Sequence, residues 1–231
     1  MTWTKGSALL LSGLLLAGAS ACSDAPDEPG RSAADRLAAA RRTLDASPSV
    51  RVDLSSPDFP ADAQGVSAAK GVVTHQPAFQ GSLTVRARGL SGTVDVVSVG
   101  GTLHLRLPFT RSYVPAKAAD YGAPDPADLL SPDKGISSLL GAVRSPALGD
   151  KKRDGSAEVQ TITGTLPGDK VVDVLAAGQR GATFPVSFQV GDDDRVRSVT
   201  VTGPFFPATG ATSRYDVRLD GYGEQVTVSA P

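Results

Sequence analysis

From about Val50 onward the chain repeats its apolar residues at every second position, and this periodicity restricts the fold more than any other feature. In SLTVRARGL (82–90), Leu83, Val85 and Ala87 fall on one side and Thr84, Arg86 and Arg88 on the other. TVDVVSV (93–99) follows after Ser91-Gly92, a hairpin signal. TLHLRL (102–107) follows after Gly100-Gly101 and sets Leu103, Leu105 and Leu107 against His104 and Arg106. Side chains alternate faces along a strand, so these segments predict an antiparallel meander with one wet and one apolar face. The pattern returns in SAEVQTITGTL (156–166), TFPVSFQV (183–190), RVRSVTV (195–201), TSRYDVRL (212–219) and EQVTVSA (224–230). About nine or ten antiparallel strands are expected in all.

Three segments break the period. SAADRLAAARRTLDA (32–46) has Leu37, Ala40 and Leu44 at helical spacing, with Ser32 as N-cap and Asp35 three residues on. In SPDKGISSLLGAV (131–143), Ser131 is placed to cap, Pro132 suits the first helical position, and Ile136, Leu139, Leu140 and Val143 form an i, i+3, i+4, i+7 stripe. GDKVVDVLAAG (168–178) predicts a short helix capped by Asp169 and stopped by Gly178. The class is α+β, with one domain over 32–231.

A long meander with one apolar face needs a cover. Its inward positions are mostly Val, Leu, Ile and Ala. Either the sheet closes on a dry core, or it curves around the helices and leaves a cavity whose aliphatic walls suit acyl chains. The candidate lining is Leu83, Val85, Leu103, Leu105, Phe184, Val186 and Phe188 on the sheet. On the helices it is Ile136, Leu139, Leu140, Val143, Val172 and Leu175.

Catalytic chemistry has little to stand on. The two histidines, His75 and His104, fall in predicted strands, and His104 is on the polar side of its alternation. Neither has a partner at metal-ligand spacing. No G-x-S-x-G elbow, P-loop or G-x-G-x-x-G occurs. Asp192-Asp193-Asp194 follows a glycine between two strong strands and reads as a polar turn rather than a calcium loop. With 23 basic and 24 acidic side chains, and no basic block, nucleic acid is not an expected partner. The expectation is a protein that is not an enzyme and uses no metal and no cofactor.

The first 31 residues belong to another design. Lys5 precedes SALLLSGLLLAGASA (7–21), an apolar stretch shorter than the roughly 20 residues of a spanning helix, which reads as an export signal over 1–21. Ala19-Ser20-Ala21-Cys22 resembles the bacterial lipobox, in which small residues precede a cysteine that is acylated, with palmitate-type chains, and becomes the first residue of the mature protein. Cys22 is the only cysteine in the chain, and a thioether-linked lipid removes an otherwise exposed thiol. Residues 22–31, polar and proline-rich, read as a flexible tether.

DPADLLSPDKGISSLLGAV (125–143) resembles the LppX/LprAFG family of mycobacterial-type lipoproteins, and so do three further segments in the same order. These are GTVDVVSVGGTLHLRL (92–107), ITGTLPGDKV (162–171) and the ending GYGEQVTVSAP (221–231). The stretches at 50–66 and 107–122 depart from the family pattern. The resemblance implies a strongly curved antiparallel half-barrel with short helices on its concave face, enclosing an apolar cavity for lipids with several acyl chains. It also implies a monomeric carrier of multi-acyl lipid or glycolipid, held by Cys22 on the extracytoplasmic face of the plasma membrane and working beside a membrane efflux transporter. A partner-binding or lipid-sensing regulatory lipoprotein of the same fold is the alternative.

Overall fold

A computed structural model describes residues 30–231 apart from positions 88, 122 and 156; the signal segment and Cys22 lie outside the described residues. Helix α1 (Ala33–Asp45) opens with the Ser32 hydroxyl accepting from the Asp35 N–H at 3.1 Å, and it buries Leu37, Ala40 and Leu44. Six strands follow: β1 (Ser49–Ser55), β2 (Gly65–Thr74), β3 (Ala78–Ala87), β4 (Leu90–Val99), β5 (Thr102–Arg106) and β6 (Val114–Ala116). A 3-10 helix (Pro126–Leu130) and α2 (Ile136–Ala142) lead to β7 (Arg144–Asp154) and β8 (Ala157–Pro167). Then come α3 (Gly168–Leu175), β9 (Thr183–Gly191), β10 (Val196–Phe206) and β11 (Ala211–Asp220).

The strands form one open antiparallel sheet in the order β6-β5-β4-β3-β2-β1-β11-β10-β9-β8-β7. Two meanders, β1–β6 and β7–β11, are therefore joined through the β1–β11 ladder, where Val52 faces Leu219 and Leu54 faces Val217. The first meander ends at one edge of the sheet and the second begins at the other. The chain between them crosses the sheet, and this crossing lays the 3-10 helix and α2 against the apolar face. Curvature comes from ladder irregularities and from glycines on the inner side. Register shifts occur at Val66/Ala68, Val196/Ser198 and Gly203/Phe206. Gly71 pairs with Gly81, and a Cβ on Gly81 would overlap the Lys70 carbonyl, so the strands coil more tightly there than side chains allow. Phe79 lays its ring over Gly71, and Phe184 lies over Gly203.

The structure moves several expected boundaries. The β3–β4 hairpin turns between Ala87 and Leu90, where Gly89 has a positive φ of 77°, while Ser91 and Gly92 pair inside β4 with Arg86 and Val85. The expected helix over 131–143 is split. Asp125 caps the 3-10 helix, Ser131 closes a single turn by accepting from the Gly135 N–H, and Gly135 is extended. A Cβ at Gly135 would overlap the Leu129 carbonyl, and this close passage separates the two helices. Val143 is the residue after α2 rather than its last turn. In α3 the N-cap is Pro167, Asp169 makes no capping bond, and the stop is Ala176 at a φ of 51°, two residues before Gly178.

Residues 224–230 form no strand. Instead Gly223 and Glu224 are pinned to Ser49. His75 lies in the turn after β2 rather than in a strand. Strand β7, absent from the sequence reading, is exposed along most of its length and so lacks the alternation that marks a half-buried strand.

Candidate functional site

The inner face of the sheet and the crossing helices share one core, and a small apolar cavity lies inside it. Val52, Leu54, Ala69, Lys70, Phe79, Leu83 and Val217 form its sheet wall. Pro126 and Leu129 of the 3-10 helix, Ile136 of α2 and Leu175 of α3 form the opposite wall. Its volume is about 40 Å³, well below the roughly 300–1,000 Å³ of a small-molecule site. Around the cavity, Leu130 of the 3-10 helix and Ile136, Leu139 and Leu140 of α2 are buried against the sheet in that core.

Three polar contacts add to this packing, one to the sheet and two to α1. The Asp125 carboxylate accepts from the Ser98 hydroxyl of β4 at 2.6 Å and from the Ala127 N–H at 2.9 Å. Ser137, fully buried in α2, donates to Asp45 at the end of α1. Arg41 of α1 donates to the Pro132 carbonyl at 3.2 Å. Beyond α2 and α3 the backbone enters left-handed conformations at Ser145 (φ 49°) and Ala176 (φ 51°).

A second, polar pocket of about 440 Å³ lies against the same helices, lined by Pro124, Asp125, Asp128, Asp133, Lys134, Val172, Asp173, Ala176 and Arg180. Leu129 lines both this pocket and the apolar cavity, so one side chain stands between a charged and a greasy space. Within the pocket Arg180 pairs with Asp173 at 2.7 Å and Lys134 with Asp128 at 3.8 Å. A larger concavity, about 640 Å³, is a groove between the turns 46–48 and 74–78 and the C-terminal residues 224–228. It shares no lining residue with the apolar cavity.

Of the residues expected to line a lipid space, Leu83, Ile136 and Leu175 border the cavity. Leu103, Leu105, Leu139, Leu140, Phe184, Val186 and Phe188 are buried in the core around it. Val143 is half-buried against that core, Val85 is half-buried near the end of β3, and Val172 lines the polar pocket. The sequence reading missed Val52, Leu54, Phe79, Leu129 and Val217. Leu129 carries a readable signal, since it sits in DPADLL at the start of the 125–143 segment that resembles the family. Val52, Leu54 and Val217 depend on the β1–β11 ladder, which no local pattern announces, while Phe79 lies in β3 beside Val73.

The aspartate run at the β9–β10 turn is taken up by arginines. Arg31 forks onto both oxygens of Asp194 at 2.9 and 2.7 Å, and Arg197 reaches Asp193 at 2.6 Å. The Arg31 guanidinium holds the Asp194 carboxyl below the usual carboxylate range. Among the described residues, no three His, Cys, Asp or Glu side chains converge as a metal site. Burial pushes the Tyr215 phenol up; its hydroxyl donates to the Val66 carbonyl at 2.8 Å and its ring packs edge-on against Phe205.

Residues 32–228 match the family model described as LppX_LprAFG lipoprotein. The chain belongs to the LppX_LprAFG lipoprotein family. It is similar in fold to LprF from Mycobacterium bovis, with a TM-score of 0.71 at 18% identity, covering 86% of this chain and 96% of that one. It is likewise similar to the lipoprotein LppX from Mycobacterium tuberculosis, with a TM-score of 0.61 at 13% identity, covering 85% and 98%. No curated protein sequence matches the chain. An open eleven-stranded sheet with helices on its inner face is thus the fold this family member shares with LprF and LppX.

Proposed function

We propose that this family member binds lipids with several acyl chains between its sheet and its helical layer and carries them away from the plasma membrane. The observation that supports this reading is the wholly apolar cavity bounded by Leu83 on the sheet and by Leu129, Ile136 and Leu175 on the helices. At about 40 Å³ the cavity receives chains only if the helical layer lifts. The left-handed exits at Ser145 and Ala176, just beyond α2 and α3, support that movement. Leu129 then acts as the gate, with acyl chains on its inner side and a polar head group, of a glycolipid for example, in the pocket of Asp125, Lys134 and Arg180.

Each methylene taken from water into such a space gains about 0.8 kcal/mol. Against a bilayer this gain nearly cancels, so loading and release are both accessible and no cofactor is needed. Acylation of Cys22, with residues 22–31 as tether, holds the 32–231 domain as a monomer at the extracytoplasmic face of the membrane. A membrane efflux transporter is a natural partner for such a carrier.

Leu83→Trp tests the site. The indole fills the cavity from a half-buried position, so capture of a fluorescent diacyl lipid falls about tenfold while Tm stays within about 4 °C of the parent. Undiminished capture by a folded Leu83→Trp protein contradicts the assignment.

A further inference from the structure

The apolar inner face of the sheet does not stop at the cavity. Leu83 faces Val94, Val85 faces Gly92 and Ala87 faces Leu90, so an inward line runs along β3 and β4 to the hairpin end. Leu83, Val85 and Val94 are half-buried along this line, whereas Leu90 is 77% exposed. The loop after β5 arches over the same side. The Pro108 ring lies 3.4 Å from where a Gly92 Cβ would sit, and Leu107 and Phe109 are exposed, Phe109 fully.

The loop is a tight turn that holds Phe109 outward. The Thr110 N–H donates to the Leu107 carbonyl at 3.1 Å, and its hydroxyl donates to the same oxygen at 2.8 Å. Proline at the second turn position and a φ of 67° at the third are the marks of a type II turn, whose third position normally takes glycine. A bulky residue with positive φ is an outlier, and here the strain is not repaid by burial of the ring. Residues 107–117 also contain two exposed cations, Arg111 and Lys117, and no carboxylate, while the nearby Arg106 is neutralised by Asp95 at 2.6 Å.

We infer that the tip formed by Leu90, Leu107 and Phe109 inserts into the surface of a lipid bilayer. An aromatic-tipped apolar knob flanked by cations matches the interfacial region beneath anionic head groups. The tip stands at the opposite end of the strands from the β9–β10 turn, where Arg31 brings the chain into the domain. It therefore reaches either the bilayer that holds the tether or a second one facing it. Docking here would place the bilayer at the open end of the apolar face that leads to Leu83.

The test uses the mature lipoprotein from Cys22 with Phe109→Trp, which is then its single indole, since the one native tryptophan, Trp3, lies ahead of Cys22. It is reconstituted in phosphatidylcholine–phosphatidylglycerol vesicles, with brominated acyl chains either in those vesicles or in bare vesicles added afterwards. Insertion predicts that indole emission shifts to the blue and falls by about half in at least one preparation. The arm that responds identifies the bilayer engaged. Adding Leu107→Asp is expected to abolish the quenching without changing the melting temperature. Water-like, unquenched emission in both preparations overturns the inference. The measurement reads the depth of the tip and not lipid cargo, so it stands or falls separately from lipid carriage.

Discussion

Asp194 shows how one residue's environment sets a measurable pH response. Arg31 lies across it at 2.7 Å, and the carboxyl titrates below its unfolded value. The pair's contribution is therefore present above the ordinary carboxylate range, near pH 4, and disappears as pH falls through the depressed folded value. Both side chains keep solvent contact, which limits the pair to the small scale of surface bridges. Asn tolerates the left-handed backbone found at Asp194, so Asp194→Asn isolates the charge. Thermal melts should show the variant lower by about 2 °C at pH 7, with the gap closing as pH falls below the ordinary carboxylate range. At this scale the sequence reads well where chemistry is local. The aspartate run after Gly191 is legible as a turn; the arginines that neutralise it, 163 residues away in the case of Arg31, are not.

Among the elements, the 3-10 helix and α2 matter most, because they roof the cavity. Asp125 serves this layer twice, capping the 3-10 helix and holding Ser98 of β4. Asp125→Ala removes the cap and leaves a fully buried serine hydroxyl without its acceptor. The two effects together cost about 2–3 kcal/mol. The melting temperature should fall by about 4–10 °C, and amide exchange should quicken first in residues 126–142. Unchanged exchange there would show that Asp125 does not hold the 3-10 helix and α2 in place. Helix α1 was legible because its cap and stripe agree, as was the Gly100-Gly101 hairpin, which pairs Val99 with Thr102. The interrupted 131–143 segment was not: its stripe begins only at Ile136, and Gly135, extended and passing the Leu129 carbonyl where a Cβ would not fit, starts α2 there.

For the whole molecule, the decisive feature is the join between two meanders. Alternation in β3, β4, β5, β9, β10 and β11 makes an antiparallel sheet readable, and the need to cover its apolar face makes the helices' position readable. The β1–β11 ladder is a long-range pairing between Val52 and Leu219 with no local signature, and it decides which side chains meet at the cavity. Hence Leu83, Ile136 and Leu175 could be picked out as lining, but Val52, Leu54 and Val217 could not. It also explains why residues such as Leu105 and Phe188 ended in packed core: strand alternation gives the face, not the distance to the opposite layer. The central claim is that this family member carries multi-acyl lipid beneath its helical layer. Mass spectrometry of an organic extract of the protein, purified from an actinobacterial host, tests it most directly. The account predicts multi-acyl lipid in about equimolar amount, beyond the chains attached at Cys22. A protein free of extractable lipid that also takes up none when it is offered would contradict it.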